Sequence, residues 1–352
     1  MSLAVKPRVD WVTPLIAVLA AFAVGAVLML LQGAAPLRAY ESLIKHAFGT
    51  GLGIAETLGK ATPLVLSGLA VTIGLRAGLF NIGAQGQLLS GSIAAAWAGY
   101  ALHGLPMAIH LPVALGFGIV FGALVGWVAG ALKAYRGVHE VISTIMLNSI
   151  VAALVGYLAR SPFKEKGQEL ARTPAVLPSA KIPTVFGYPL GFFIAVTLAY
   201  FIWWIFKRTT TGFRLNTVGR NKSAAWYAGI SVKRSVLLAM TIGGALAGLG
   251  GAIETLGVTG RFEPAFNVGL GFDGITIALL GRANPLGVIP GAILIGGMRA
   301  GAARMQFDAG VAPDIVDLIV ALILFFVTAP IIGRWFKGRG SASAAITGGW
   351  GS

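Results

Sequence analysis

The sequence contains 352 residues, with 27 Lys or Arg and only 12 Asp or Glu, which gives a formal net charge of +15. Charged residues make up 11% of the chain and hydrophobic residues 56%, whereas about 25% of a soluble domain is charged. This composition excludes an ordinary soluble enzyme. The basic residues stand between long apolar runs, which excludes a nucleic-acid partner because such proteins gather them on one face; the lack of cysteine excludes disulfides and thiolate chemistry.

The apolar runs predict an all-α polytopic membrane protein with about ten transmembrane helices. A helix needs roughly 20 apolar residues to cross the hydrocarbon core. The first run is too long for a cleaved signal peptide, so it is predicted to be an uncleaved anchor. The predicted spans form one transmembrane domain over residues 1–337, in the order 11–37, 61–75, 81–102, 109–132, 138–158, 185–206, 235–257, 267–281, 285–303 and 314–332.

The basic residues predict the orientation of these spans. Segment 207–234 holds seven Lys or Arg and no acid, which is typical of a cytoplasmic loop. Ten spans then place both chain ends in the cytoplasm, with Lys6 and Arg8 on that side, and the long loop 160–183 outside. The tail 338–352 is rich in Gly, Ser and Ala and is predicted to be disordered.

Two regions fit the helix pattern poorly and predict broken helices. Residues 61–75 are short for a span and run into a segment of glycines and amides that ends at Gln87; near 260–285 a short apolar stretch ends at Asn284-Pro285. Broken helices are tolerated where protein or a water-filled cavity satisfies the freed backbone, so both regions are candidates for a substrate path.

The two breaks also resemble each other, since the first contains Phe80-Asn81-Ile82-Gly83 and the second contains Phe266-Asn267-Val268-Gly269. They would lie on opposite sides of the membrane, as two inverted five-helix halves require. A four-residue match in a Gly-rich chain also arises by chance. The residues leave both explanations open.

Uncharged polar side chains near the first break are the leading candidates for a path. Asn81, Gln85 and Gln87 carry amides, and Thr144 and Asn148 lie four apart on one helical face. Such groups could line a path for a weakly bound polar solute. The alternative is that they cap helix ends or bond between helices.

The second break contributes two further candidates, Phe272 and Asp273. An aromatic ring there could stack on a flat solute or simply pack. Acids within a membrane are by default functional or paired, so Asp273 could touch substrate or pair with one of three arginines, Arg76, Arg282 or Arg299. Glu254 lies near the predicted outer end of its span, where it could reach water.

Sequence motifs of catalysis are missing. The only Gly-Lys pair, Gly59-Lys60, is followed by Ala61 and lacks the upstream glycine of a phosphate-binding loop. The four histidines lack zinc-hydrolase spacing, and no serine-hydrolase elbow is present. We therefore predict no catalytic residue, no metal and no cofactor; if ATP powers this protein, another chain must hydrolyse it.

The basic segment 207–234 contains a short helix with a stop signal at each end. Asn221 is a favoured N-cap and Gly229 a favoured C′ residue, which predicts a helix over 222–228. A helix this short needs a packing partner. Ala224, Ala225 and Tyr227 offer small and aromatic contact surfaces, although a helix lying at the lipid headgroups would use similar residues.

Four stretches together resemble a known family. They are Gly219-x-Asn221-x-x-Ala224-Ala225-x-Tyr227-Ala228-Gly229-Ile230, Gly78-Leu-Phe-Asn-Ile-Gly-Ala-Gln-Gly-Gln87, Glu140-Val-Ile-Ser-Thr-Ile-Met-Leu-Asn148, and Gly271-Phe-Asp-Gly-Ile-Thr-Ile-Ala-Leu-Leu-Gly-Arg-Ala-Asn-Pro-Leu-Gly287. The first resembles the coupling-helix loop of ABC-importer permeases in the branched-chain amino acid, ribose and nucleoside superfamily. Order and spacing are most similar to the nucleoside branch linked to basic membrane proteins. Ser223 stands where relatives commonly have an acid.

The resemblance implies a non-catalytic permease subunit of an ATP-driven importer in a bacterial inner membrane, carrying nucleosides. The implied partners are a double-domain ATPase, a second homologous permease, and a substrate-binding lipoprotein or periplasmic protein. Two alternatives stay open from the residues: the same machine carrying a simple sugar, and an ion-coupled secondary transporter, for which the helix 222–228 would have no obvious use.

Overall fold

The computed structural model of the protein describes residues 12–264 and 269–329. Over these residues the chain forms thirteen α-helices and one antiparallel pair of short strands, β1 (Thr184–Val185) and β2 (Tyr188–Pro189). The helices are α1 Val12–Leu31, α2 Pro36–Phe48, α3 Gly51–Arg76, α4 Ala84–Ala101, α5 Met107–Arg136, α6 Glu140–Arg160, α7 Leu190–Arg208, α8 Thr210–Arg220, α9 Lys222–Tyr227, α10 Val232–Glu254, α11 Leu270–Leu280, α12 Val288–Ala309 and α13 Asp314–Thr328.

The all-α class is confirmed, and each of the ten predicted spans overlaps one of these helices. By length and apolar composition, six helices of the described part could cross a membrane: α1, α3, α5, α6, α7, and α10 with the π-helical turn Thr255–Thr259 that follows it. The count of ten therefore stays a prediction. Three predicted features lie outside the described residues: Lys6 and Arg8, residues 266–268 of the repeat match, and the tail 338–352.

The prediction that the second span is short, over 61–75, is wrong. Helix α3 begins at Gly51 and has 26 residues, and the side chain of its N-cap Thr50 accepts a hydrogen bond from the Gly53 amide at 3.0 Å. Its first turns contain Glu56 and Lys60, and these charges made the segment resemble a loop. The helix continues there because Thr57 is buried and donates to the Ala47 carbonyl at 2.9 Å.

Helix α2 was not predicted, because it is amphipathic and too polar to resemble a span. Its buried apolar stripe consists of Ala39, Leu43 and Ala47. The backbone of Leu43 packs against Gly301 of α12. The β1–β2 hairpin is also absent from the prediction, which began a span at residue 185. Pro189 precedes the first turn of α7, so the helix starts at Leu190.

Two long helices, α3 and α10, form the centre of the bundle, while α1, α5, α6 and α7 expose apolar side chains at its perimeter. Helix α10 approaches α5 through glycines spaced four apart. A Cβ on Gly244 or Gly248 would overlap backbone atoms of Gly122 or Gly118 on α5. Small residues at this spacing let backbones approach closely, which is how helices associate in a membrane.

The loop 160–183 lies across the far end of α10. The Thr173 amide donates to the Phe262 carbonyl at 3.1 Å and the Val176 amide to the Gly260 carbonyl at 2.9 Å. Glu165 accepts from Arg172 at 2.8 Å and from Arg261 at 3.0 Å. Segment 207–234, which contains α9, leads into the first residue of α10. Loops 160–183 and 207–234 therefore lie at opposite ends of the bundle, as their predicted placement on opposite sides of the membrane requires.

Candidate functional site

The short helix α9 has the cap residues that the sequence predicts. The Asn221 side chain accepts a hydrogen bond from the Ala224 amide at 2.9 Å. At the other end Gly229 adopts φ +73°; its amide donates to the Trp226 carbonyl and the Ile230 amide to the Ala225 carbonyl, both at 2.9 Å. These two bonds form a Schellman motif. The helix ends at Tyr227, one residue earlier than predicted.

Helix α9 presents an exposed aromatic pair. Trp226 is 67% exposed and Tyr227 82% exposed, and their rings meet edge to face with centroids 5.1 Å apart. The opposite side holds the helix in place, since Ala225 is fully buried and packs with Val218 of α8 and Ile230. Ala224 is exposed, so of the two predicted contact alanines one packs inward and the other stays on the surface.

Gly219 lies against the end of α3 rather than on the surface of the loop. A Cβ on Gly219 would overlap the Arg76 carbonyl oxygen, and a Cβ on Gly78 would lie 3.0 Å from the Gly219 Cα. The backbone of α8 is therefore in direct contact with the turn that ends α3. The α8–α9 segment rests on the central helix of the bundle, and only a glycine permits this approach.

The break between α3 and α4 is closed by two amides. Asn81 Nδ2 donates to Gln87 Oε1 at 3.0 Å, and Gln87 Nε2 donates to Asn81 Oδ1 at 3.1 Å. Both side chains are at most 1% exposed. A reciprocal pair of this kind satisfies the polar atoms of both amides in an apolar interior. Asn81 and Gln87 thus bond to each other across the turn.

The remaining amides join α4 to its neighbours. Asn148 of α6 accepts from the Gly86 amide at 2.8 Å and donates to the Ile82 carbonyl at 2.9 Å. Gln85 Oε1 accepts from the Gly271 amide, at the start of α11, at 2.7 Å. Thr144 is fully buried, donates to the Glu140 carbonyl at 2.7 Å and packs against the turn before α4.

Three of the predicted path residues line one cavity of about 350 Å³ between α4, α6 and α11. They are Gln85, Asn148 and Phe272. Asn81, Gln87, Thr144 and Asp273 do not line it. The walls add an apolar surface and a hydroxyl, from Leu89, Ser149, Ala152, Val155, Pro264 and Gly269. The cavity combines two amides, a hydroxyl and an aromatic ring, which suits a flat solute with several hydrogen-bonding groups.

Comparison with known proteins identifies the family. Residues 53–329 match the family described as branched-chain amino acid transport system, permease component. The chain belongs to this permease family. It is 40% identical over 342 residues to a guanosine ABC transporter permease of Bacillus subtilis, with 95% of this chain and 98% of the relative covered. It is also similar to a nucleoside ABC transporter permease of Lactococcus lactis, at 36% identity with 91% of each chain covered, and to a glucose ABC transporter permease of Haloferax volcanii, at 34% identity with 96% and 94% covered.

Asp273 of the permease pairs with Arg299, one of the three arginines proposed for it. Its Oδ2 lies 2.6 Å from an Arg299 guanidinium nitrogen, and Asp317 Oδ1 lies 3.3 Å from the same nitrogen. The ion pair joins α11, α12 and α13. The expectation that Glu254 could reach water is wrong: although it is the last residue of α10, it is only 2% exposed.

Sequence reasoning missed several residues of the permease site. Ser149 and Pro264 of the cavity carry no pattern that singles them out. Asn216 and Phe206, which contact Arg76, lie far from it along the chain. The glycines that join α5 and α10 do repeat every fourth residue, at Gly118, Gly122 and Gly126, and this signal could have predicted the interface.

Proposed function

We propose that this chain is the transmembrane permease subunit of an ATP-driven importer of nucleosides. The observation that carries the proposal is its similarity, over more than 90% of both chains, to guanosine and nucleoside ABC transporter permeases. Similarity at this level and coverage extends through both breaks and the α8–α9 segment. The chain itself would be non-catalytic, located in the bacterial inner membrane with both termini in the cytoplasm.

The missing phosphate-binding loop and the exposed aromatic pair of α9 indicate the partners of the chain. With no phosphate-binding loop in its sequence, ATP hydrolysis falls to a double-domain ATPase, which would dock on α9 through Trp226 and Tyr227. Aromatic residues of this kind dominate the energetics of protein contacts. A second homologous permease would complete the path, and a substrate-binding lipoprotein or periplasmic protein would deliver cargo on the side of loop 160–183.

The cavity supports a nucleoside as cargo. Small-molecule sites typically enclose roughly 300–1,000 Å³, and about 350 Å³ is available here. Phe272 would stack on the base, and Gln85 and Asn148 would bond to base or ribose hydroxyls. Asn81, Gln87 and Thr144 would shape the break beside the path, and Asp273 would set the position of α11. The described residues that line the cavity are uncharged, which favours release of the cargo after each cycle.

A simple sugar is the second candidate cargo, because one relative of similar identity is named as a glucose permease. A sugar would use the amides of the cavity but has no flat base for Phe272. The third alternative, an ion-coupled secondary transporter, predicts uptake by this chain alone. The three relatives described above are all named as ABC transporter permeases, which favours the ATP-driven importer over this alternative.

The test is reconstitution of the chain with its ATPase, second permease and binding protein. We expect nucleosides to stimulate ATP hydrolysis, and unlabelled guanosine or uridine to compete with labelled uridine for uptake while ribose and glucose do not. Competition by glucose but not by nucleosides would refute the cargo and keep the machine. Absence of stimulation by any nucleoside would likewise refute nucleosides as the cargo.

A further inference from the structure

Helix α11 connects the cavity with the end of the bundle that carries α8 and α9. At its first turn, Gly269 and Phe272 line the cavity, and the Gly271 amide is bonded to Gln85. A Cβ on Gly271 would overlap backbone atoms of Gln85. Any shift of α11 along its axis must therefore change the wall of the cavity.

The last turn of α11 leads into an unusual turn. Arg282 and Ala283 adopt φ +56° and +51° in succession, a left-handed conformation that residues with a Cβ disfavour. The Ala283 amide donates to the Ala278 carbonyl at 2.8 Å, which ties the turn to α11. A turn of this kind persists where surrounding contacts hold it.

Arg76, the last residue of α3, supplies such a contact. Its Nε donates to the Ala283 carbonyl at 2.8 Å. Its Nη1 reaches Asn216 of α8 at 3.5 Å, and its guanidinium lies 5.1 Å from the centroid of the Phe206 ring on α7. Its own carbonyl oxygen touches Gly219. One side chain thus bonds to the turn after α11 and to the segment that carries α9.

We propose that Arg76 is the positioning residue that couples movement of the α8–α9 segment to α11, and through α11 to the cavity. The inference rests on the proposed function, since it assumes that an ATPase moves α9. The planar guanidinium holds two acceptors in fixed directions at once. When α8 shifts, the Ala283 turn shifts with it, and α11 moves against the amide of Gln85.

The first test measures uptake per ATP hydrolysed in the reconstituted complex. Arg76→Ala and Arg76→Lys should each lower this ratio by roughly 5-fold or more, the lower end of typical coupling effects, while ATP hydrolysis continues. Lysine keeps the charge but cannot bridge both acceptors, so it serves if the alanine variant assembles poorly. Arg136→Ala is the matched control, an exposed arginine that likewise ends a helix, α5, and it should keep the wild-type ratio.

The second test follows α11 directly. Because the chain has no cysteine, Phe272→Cys gives the chain a single thiol, placed in the cavity wall. Its labelling by a maleimide should differ between ATP-bound and nucleotide-free complexes, and Arg76→Lys should abolish the difference. This readout depends on the machine and not on the cargo, so it tests the coupling role even if the substrate assignment fails.

The inference is overturned if either Arg76 variant keeps a wild-type uptake-to-hydrolysis ratio, or if uptake and hydrolysis fall in equal proportion. It is also overturned if thiol labelling of the Phe272→Cys variant still switches with nucleotide in the Arg76→Lys background, or never switches at all. Wild-type complexes that hydrolyse ATP without any response to nucleosides refute the proposed cargo alone.

Discussion

The C-terminal cap of α9 gives the sharpest prediction for the docking role. Gly229 adopts φ +73° and has nothing within 4 Å of the position that a Cβ would take. In Gly229→Val the new Cβ therefore has open space around it, and the main cost is that of the left-handed backbone, about 1–2 kcal/mol. A cost of this size lowers the population of the ordered helix by a factor of about 5–30.

Helix α9 has little intrinsic stability to offset this free-energy cost. It has six residues, far fewer than an isolated helix needs, and its Asn221 cap contributes only about 1 kcal/mol. We expect Gly229→Val to insert in the membrane at wild-type yield and to lose most nucleoside-stimulated ATP hydrolysis in the reconstituted complex. Stimulation at the wild-type level would show that docking does not require the Gly229 cap.

The matched control is Gly137→Val. Gly137 caps the end of α5, adopts φ +68° and likewise has nothing within 4 Å of its Cβ position. The substitution imposes the same backbone cost at a helix end without an exposed aromatic pair. Equal loss of stimulation in both variants would show that α9 has no special part in docking.

Three further predictions concern packing and the cavity. Asp273→Asn should lower the free energy of unfolding of the purified protein by about 2 kcal/mol, because it leaves Arg299 with only the more distant and exposed Asp317 as an acidic partner. Asp317→Asn, whose side chain is 67% exposed, should cost at most about 1 kcal/mol, and equal midpoint shifts for the two variants would contradict this assignment. Gly248→Ala should sharply reduce the yield of folded protein, since its Cβ would overlap the backbone of α5, whereas Gly116→Ala, with open space at its Cβ, should fold normally. Phe272→Ala should raise the KM for uridine uptake roughly 5-fold or more through loss of stacking, and an unchanged KM would remove the ring from the path.

The sequence predicted local features of the site well. The caps at Asn221 and Gly229 depend on a few neighbouring residues, so the residue types alone determine where α9 begins and ends. The apolar runs located a helix in every predicted span for the same reason. Helix α2 was missed because its polar face hides an apolar stripe, and α3 began earlier than predicted because Glu56 and Lys60 lie inside a helix.

The long-range contacts of the site could not be predicted in this way. Gln85 meets Gly271 at a separation of 186 residues, and Arg76 meets Ala283 at 207; no local pattern specifies either contact. The Asn81–Gln87 pair depends on the path of the turn between them. Arg299 was one of three arginines proposed from the sequence as partners of Asp273, and only the packing of α11, α12 and α13 decides among them.

We expect this permease to work only as part of an ATP-driven machine. Its most direct test is uptake of labelled uridine by proteoliposomes that hold the chain with its permease partner and ATPase, with binding protein on the outside. We predict accumulation that requires enclosed ATP and persists when the proton and sodium gradients are collapsed. Accumulation by the chain alone, driven by an ion gradient and indifferent to ATP, would show that the chain is a secondary transporter instead.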